Sequence, residues 1–351
     1  MSVRRRNKNS LSAHICVTKD YHQTMPVELN PALKQHSSNQ PGSGRNQIQG
    51  LPRIACWIAA LLLFSGTGRL KAQEIEPLTL SNTPTGVNLF GVGMGFSQGN
   101  VLLDPSLPIE NLDGDMVYGV LRYVRTFGLL GRSAKFAALL PFTSGDWDGE
   151  FEGSAAQRSA AGFGDLRLTL GWTLHGAPAL KKSEMGSYRE RAIIGGSIRL
   201  IVPTGEYDST KLINLGSNRW SVRGEAGLAR TLGAWKLEGF GAVWVYGKND
   251  NFVGLQQEQE NIYVIKAHAI YRFRPGFWIG FGAGYGNGGR TKVNGVARDN
   301  RQENWRFGAT ITYPLNTQHG VSLTMGTGIN RGAGGDFDTL AVAYQYAWGD
   351  I

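Results

Sequence analysis

Residues 162–172 read GFGDLRLTLGW, and apolar and polar side chains alternate one for one through most of this stretch. Leu168, Leu170 and Trp172 are apolar, and Arg167 lies between two apolar neighbours. A period of two places the two sets on opposite faces of an extended strand. Soluble strands commonly have ~5–6 residues, whereas a strand that crosses a bilayer needs ~9–11. The length of the alternation therefore predicts a membrane-spanning β-strand.

The same pattern recurs along the chain. In residues 302–313, for example, Trp305, Phe307 and Ile311 share one face and Arg306 lies on the other. The predicted strands are residues 86–96, 116–127, 133–142, 163–174, 191–203, 218–232, 235–247, 261–274, 277–287, 302–313, 319–330 and 336–348.

The connections between these strands alternate in length, apart from a long connection at 175–190 and a short one at 331–335. Outer-membrane barrels combine short periplasmic turns with longer external loops and an even strand count. We therefore predict an all-β fold, a transmembrane antiparallel up-and-down β-barrel of about 12 strands, with both ends in the periplasm. The expected long loops are residues 97–115, 143–162, 204–217, 248–260 and 288–301.

Aromatic residues support the barrel, because Trp and Tyr favour the two bilayer interfaces. Aromatic side chains of an ordinary core would instead be scattered along the strands. At the predicted periplasmic strand ends lie Trp172, Trp235, Tyr271, Phe273, Phe277, Tyr313, Tyr346 and Trp348.

The first part of the chain has the composition of a leader. Residues 54–65 form an apolar run behind Arg53, which is too short for a transmembrane helix and typical of a secretory signal with cleavage after Ala72. We therefore divide the chain into a disordered leader plus signal peptide at 1–72 and an outer-membrane barrel at 73–351.

Charge and cysteine content exclude several functions. The net charge of +9 comes almost entirely from the leader, so nucleic acid is not an expected partner. Cys16 and Cys56 both precede the cleavage site, so the mature protein has no thiol chemistry. The sequence has no metal motif such as HExxH and no motif that implies a cofactor.

Charges of both signs lie on the polar strand faces. A Lys or Arg on the lipid face costs ~2–4 kcal/mol at mid-membrane, so these side chains are expected to point inward. They either line a pathway as selectivity charges or form a structural network of salt bridges, and both interpretations stay open. The candidate lumen-lining residues are Arg167, Arg199, Arg223, Glu225, Lys266, His268, Arg272 and Arg306.

Three of these arginines, Arg167, Arg199 and Arg223, lie on consecutive predicted strands. Neighbouring strands are ~4.8 Å apart, so the three side chains are candidates for one basic wall that favours anions or carboxylates. Asp165 and Glu225 are the acids available to neutralise it.

Glycine occupies every even position from 280 to 288. A phosphate-binding loop would need a following helix. The strict spacing of two instead predicts one inward strand face that lets the strand bend and leaves room in the lumen.

Two stretches, LLPFTSGDWD at 139–148 and LIVPTGEYD at 200–208, resemble each other at the outward ends of strands. They either end the strands and turn the chain at the rim, or form a paired site at which aromatic side chains contact incoming solute. The candidate rim residues are Trp147, Asp148, Tyr207 and Asp208.

An enzyme is not expected. A membrane-embedded lipid hydrolase would need a Ser–His pair, and His268 is the one histidine in the middle of a predicted strand. No serine lies near His268 in sequence.

Several segments together resemble a known family: GFGDLRLTLGW, PTGEYD and NLGSNRWS within 203–221, KLEGFGAVWVYGKND at 236–250, YRFRPGFWIG at 271–280 and DFDTLAVAYQYAW at 336–348. They are similar to the outer-membrane transporter family that is labelled as part of the meta-cleavage pathway of phenol degradation. The resemblance covers roughly residues 160–348. It implies a β-barrel in the outer membrane that takes up aromatic or other hydrophobic compounds.

The expected function is therefore passive uptake of small organic solutes by a barrel whose partners are outer-membrane lipids and those solutes. A non-conducting structural or adhesion barrel is the alternative, and single-channel conductance separates the two.

Overall fold

The computed structural model describes residues 76–100, 109–151, 154–330 and 336–351. The leader and signal peptide expected at 1–72 lie outside these residues. Within them, the only helical element is a single 3-10 turn at Lys182–Glu184. No helix in this part of the chain is long and apolar enough to cross a membrane.

The described residues form seventeen strands. The strands are β1 (Val87–Asn100), β2 (Ile109–Leu129), β3 (Arg132–Phe151), β4 (Ser154–Phe163), β5 (Leu166–His175), β6 (Ala192–Val202), β7 (Ser221–Leu232), β8 (Trp235–Tyr246), β9 (Asn249–Phe252), β10 (Leu255–Gln259), β11 (Ile262–Arg274), β12 (Phe277–Gly288), β13 (Thr291–Val293), β14 (Val296–Ala297), β15 (Gln302–Pro314), β16 (His319–Asn330) and β17 (Asp336–Gly349).

Thirteen of these strands close into one antiparallel barrel, in the order β2-β1-β17-β16-β15-β12-β11-β8-β7-β6-β5-β3-β4 with β2 also paired to β3. Because β4 and β5 are consecutive halves of one wall strand, the barrel has twelve strands. Closure matters because a free strand edge cannot be hydrated in a bilayer. The predicted fold class and strand number are confirmed.

The fourth wall strand is broken between Phe163 and Leu166, which corrects the expectation of one continuous strand at 163–174. Pro141 of β3 lies opposite the break and has no N–H to donate to a ladder. The break also reverses the phase of the strand, because Ala160 before it and Thr169 after it both point into the lumen.

β2 and β3 are much longer than expected, with 21 and 20 residues. Most of the predicted loops at 97–115 and 143–162 is therefore strand, and these two expectations were wrong. Beyond the bilayer the outer strand face meets water, as at the exposed Asp146 and Asp148, so the apolar alternation that marks the membrane segments is lost.

Two external connections form a second sheet that the sequence did not predict. β9, β10, β13 and β14 pair in the order β14-β13-β10-β9. Their hairpins turn at Val253-Gly254 and Asn294-Gly295, where both residues of each pair have positive φ, as the twist of a two-residue hairpin requires.

The outside of the barrel carries an apolar belt. Outward side chains such as Phe96, Ile198 and Ile265 are 63%, 61% and 61% exposed. Aromatic side chains at the end with the short turns, among them Trp235 and Phe273, are exposed as well. This is the surface that a lipid-facing barrel presents.

Candidate functional site

The external end of the lumen is closed by an apolar cluster, here named the apolar cap. It joins two barrel strands to the loop at 203–220 and to the external sheet. The apolar cap consists of Leu112, Trp147, Ile213, Phe252 and Val293.

Trp147 lies at the centre of the apolar cap and is only 1% exposed. It was expected at the rim, as a possible contact for incoming solute. In the structure it points inward from β3 and is covered by the loops, so it presents no surface to solute outside. Phe252 and Val293 of the external sheet pack against it.

The loop at 203–220 is drawn into the lumen by Asp165. One carboxylate oxygen accepts a hydrogen bond from Gly205 N at 2.9 Å, and the other accepts from Ser217 N at 2.9 Å and Ser217 Oγ at 2.6 Å. Asp165 therefore anchors this loop, in the break between β4 and β5, instead of serving mainly to neutralise the arginines.

The other rim candidates differ in exposure. Tyr207 lines the cavity below the apolar cap, and its hydroxyl donates to Asn251 O at 3.1 Å. Asp208 closes a local turn, and the side-chain and backbone hydrogen bonds of Thr210 lower the pKa of its carboxyl. Asp148 is exposed on β3.

Beneath the apolar cap lies a cavity of about 520 Å³. Its lining comes mainly from the loop at 203–220 and from β7, β8, β11, β12 and β15, and it combines charged and aromatic side chains. The charged residues are Asp165, Arg167, Arg219, Arg223, Glu225, Lys266 and Arg306, and the aromatic ones include Tyr207, Trp244, Tyr246, Phe252 and Phe337.

Five of the eight candidate lumen residues thus line the cavity: Arg167, Arg223, Glu225, Lys266 and Arg306. Glu225 links two of them. Its carboxylate lies 2.6 Å from Lys266 Nζ and 3.5 Å from Arg223 Nη2. A salt-bridge network and a charged cavity wall therefore exist in the same place.

The three arginines of the expected basic wall are close in register. Arg199 pairs directly with Arg223, and Arg167 pairs with Ile201, two residues further out on β6. Arg199 turns away from the cavity, however. Its Nε donates to Thr169 Oγ1 at 3.0 Å and its Nη2 lies 3.4 Å from a carboxylate oxygen of Glu76.

The chain before β1 lies inside the barrel, and residues 76–82 are here named the N-terminal segment. Glu238 of β8 accepts hydrogen bonds from Leu78 N at 3.0 Å and Leu80 N at 3.3 Å. The Leu80 side chain is 4% exposed and packs against Ile193 and Phe240. The N-terminal segment therefore fills the periplasmic half of the lumen.

Lysines bind the carbonyl groups of the same segment. Lys236 is completely buried, and its Nζ donates to Leu80 O at 2.8 Å and to Glu190 Oε1 at 2.6 Å. Lys135 Nζ donates to Thr79 O at 2.7 Å. We name the charged side chains around the N-terminal segment the ionic clamp: Lys135, Glu190, Arg199, Lys236 and Glu238.

Glu190 lies in the periplasmic connection, at the mouth of the barrel. Burial is the largest single influence on its pKa and acts to raise it, but the charge and hydrogen bond of Lys236, with the hydrogen bonds of Thr231 and Asn82 N, together lower the pKa below its usual value. Arg272, another candidate lumen residue, reaches the same carboxylate at 4.0 Å and is partly exposed.

His268 belongs to the inner half of the lumen as well. It is 3% exposed, and its Nδ1 lies 3.2 Å from Glu238 Oε2. Its neighbour is thus a carboxylate that holds the N-terminal segment, which gives no support to a Ser–His hydrolase.

The inward glycines of β12 make room for the segment. A Cβ placed on Gly280 would lie 3.2 Å from Pro77 Cβ. The N-terminal segment itself was not predicted, because its apolar/polar alternation spans only residues 78–81, far fewer than a membrane strand needs. Lys236 and Glu238 were recognisable as inward charges, since they flank the outward Leu237 on β8.

A closed twelve-stranded barrel with an apolar belt and a polar, partly filled lumen defines an outer-membrane β-barrel protein. The model of the family described as "Putative MetA-pathway of phenol degradation" matches residues 93–346, and the chain belongs to this family. A search of curated protein sequences finds no match.

A solved outer-membrane channel shares the fold. The COG4313 outer membrane channel from Pseudomonas putida F1 is 24% identical, with a TM-score of 0.66 over 78% of this chain and 100% of the other. The transport unit of the autotransporter AIDA-I from Escherichia coli is 9% identical, with a TM-score of 0.45 over 85% of this chain and 99% of the other.

Proposed function

We propose that the protein is a passive channel for small organic solutes across the outer membrane. The observation that carries the proposal is the cavity of about 520 Å³ inside the closed barrel, between the apolar cap and the N-terminal segment. Sites for small organic molecules have volumes of ~300–1,000 Å³ and combine apolar walls with a few placed polar groups. This cavity has both.

Passage requires the N-terminal segment to yield, because it fills the lumen below the cavity. The segment is held by side chains and not by a strand ladder: Glu238 binds two of its N–H groups, and Lys236 and Lys135 bind its carbonyls. It can therefore be displaced without breaking the barrel wall.

The family description, which concerns phenol degradation, supports aromatic compounds as candidate solutes. The non-conducting barrel is the alternative, and the complete burial of Lys236 against the N-terminal segment favours it. The two proposals differ in whether the segment leaves its position.

We also propose that the mature chain begins at Gln73. Cleavage after Ala72 leaves three residues before Glu76, which pairs with Arg199 in the lumen. Mass spectrometry of the protein extracted from outer membranes tests this, and a start before Ile54 would contradict it.

The channel is tested by liposome swelling with the mature protein and a series of small neutral solutes. Glu238→Gln removes the charge that binds the segment and is expected to raise the swelling rate several-fold. Glu150→Gln, the same change on an exposed external residue, is expected to behave as the parent. Absence of swelling with the parent and with Glu238→Gln would overturn the channel.

A further inference from the structure

One wall of the cavity carries cations stacked on aromatic rings in series. The Arg219 guanidinium lies 5.0 Å from the centroid of the Tyr246 ring, and that of Arg223 lies 5.5 Å from the Trp244 ring. Deeper in the lumen, Lys266 Nζ lies 5.3 Å from the Phe240 ring. We name these three pairs the cation–aromatic ladder.

The ladder follows from strand register. Phe240, Trp244 and Tyr246 share the inward face of β8, while Arg223 pairs with Trp244 from β7 and Lys266 pairs with Phe240 from β11. At ~3.4 Å per residue, the six steps from Phe240 to Tyr246 span ~20 Å. The ladder therefore runs from the apolar cap to the level of the N-terminal segment.

Two of the rings also stack on each other. Trp244 and Tyr246 stack with an interplanar angle of 10° and centroids 6.3 Å apart. Elsewhere in the barrel, Arg306 lies 4.9 Å from the Phe337 ring, and both side chains line the same cavity. A flat apolar group entering the cavity thus meets rings with a cation beside each one.

Positive charge exceeds negative charge in this space. Among the described residues that line the cavity, five are basic and two are acidic. Both acids already have partners: Asp165 binds the loop through Gly205 and Ser217, and Glu225 binds Lys266 and Arg223. The cavity is therefore suited to a ligand that brings its own negative charge.

Hydrogen-bond donors are in surplus as well. Arg219 is 5% exposed and donates from Nη2 to Gln259 Oε1 at 2.5 Å, but its buried Nε and Nη1 reach no acceptor among the described residues. Gln302 Nε2 is buried and unpartnered in the same way, and the acceptor Asn304 Oδ1 lacks a donor. Buried donors without acceptors are costly, so an incoming acceptor group is favoured.

We propose that the cation–aromatic ladder is a binding track for small organic carboxylates, above all those with a planar aromatic body. The Arg219 guanidinium, which lies over the Tyr246 ring, has N–H groups that meet no acceptor among the described residues, and guanidinium N–H groups bind carboxylates in bidentate fashion. The carboxylate passes from Arg219 to Arg223 and Lys266 while the body of the solute lies against Trp244 and Tyr246. This proposal rests on the channel function and names its solute class.

The test compares benzoate with benzamide, which has a similar shape and no charge. Binding to the mature, detergent-solubilised protein is measured by calorimetry, and flux is measured in liposomes. The parent is expected to bind benzoate at least tenfold more tightly than benzamide. Equal affinity would overturn the ladder whatever the variants show.

The Arg219→Gln/Arg223→Gln double variant is expected to lose at least tenfold in benzoate affinity with little change for benzamide. Arg230→Gln is the matched control, since Arg230 lies on the exposed face of β7. Trp244→Leu is expected to weaken benzoate several-fold and leave acetate nearly unchanged, because acetate has no ring. Equal benzoate affinity in the double variant and the parent would contradict the ladder.

The two proposals fail in different ways. If benzamide enters liposomes and benzoate does not bind, the channel stands and the ladder is wrong. If neither solute enters but the double variant loses benzoate binding, the ladder is a binding site in a barrel that does not conduct.

Discussion

The two ends of the lumen are closed by opposite chemistry. Outside, the apolar cap packs Trp147 against Phe252 and other apolar side chains. Inside, the ionic clamp holds a piece of backbone with carboxylates and ammonium groups, notably Glu238 and Lys236. Apolar packing is weakened by substitutions that remove side-chain volume, whereas a buried ionic contact is weakened by substitutions that remove charge. The apolar cap and the ionic clamp can therefore be tested by different substitutions.

The largest effect is expected at the external end. Trp147→Ala removes a fully buried ring from the apolar cap, a change that costs about 3–5 kcal/mol for buried aromatic residues. The external loops then lose their packing contact with the barrel, so protease cleavage of the external sheet should accelerate. The barrel itself should stay folded, as judged by its gel mobility. Val296→Ala, at a position of the external sheet that is 61% exposed, is the control. Equal cleavage of both variants would show that the ring does not hold the loops.

The next effect is expected at the periplasmic end. Lys236→Met keeps the apolar stem but removes the ammonium group shared by Leu80 O and Glu190, which costs about 3 kcal/mol for a broken buried pair. The thermal transition of the barrel in heat-modifiability gels should fall. Lys248→Met breaks an exposed pair with Glu258 and should cost less than about 1 kcal/mol. Similar transitions in both variants would contradict the ionic clamp.

A smaller effect is expected from pH. Because the pKa of folded Glu190 is lowered, its contribution is complete above the ordinary carboxyl pKa of ~4.3 and is lost as pH falls through the lowered value. Solute flux through the parent should be constant from neutral pH to about pH 5 and rise in more acidic buffer. Glu190→Gln should reduce that rise and Glu184→Gln, in the same connection, should keep it. An identical profile in all three proteins would remove Glu190 from the clamp.

Much of the barrel was predictable from the sequence because lipid on one side and a polar lumen on the other impose a period of two. This is why the inward positions of Arg199, Glu225 and Lys266 follow from the alternation. Where the outer face meets water instead of lipid, as at the external ends of β2 and β3, the apolar alternation is lost, and these strand segments were predicted as loops.

The contents of the lumen were less predictable, because they depend on contacts between distant parts of the chain. Arg223 and Arg199 both lie on the polar faces of neighbouring strands. Arg223 lines the cavity, whereas Arg199 binds Glu76. Trp147 was predicted at the rim because the external loops that cover it are distant in sequence. Arg219 was overlooked as a lumen residue, although it lies in the predicted strand at 218–232 on the same face as Arg223; β7 itself begins only at Ser221.

The most direct test of the account is to lock the N-terminal segment to the barrel wall. Pro77 Cβ lies 3.2 Å from the position of a Cβ on Gly280, close to the ~3.5–4.5 Å between the Cβ atoms of a disulfide. Residues 73–351 contain no cysteine, so Pro77→Cys/Gly280→Cys creates one defined bridge. Each single-cysteine variant is a control for the added side chain.

Liposome swelling is measured with the oxidised double variant and again after reduction. The account predicts that the oxidised protein passes no solute and that reduction restores the flux of the single-cysteine controls. Equal flux before and after reduction, with the bridge shown by mass spectrometry, would contradict a channel whose inner end is closed by the N-terminal segment.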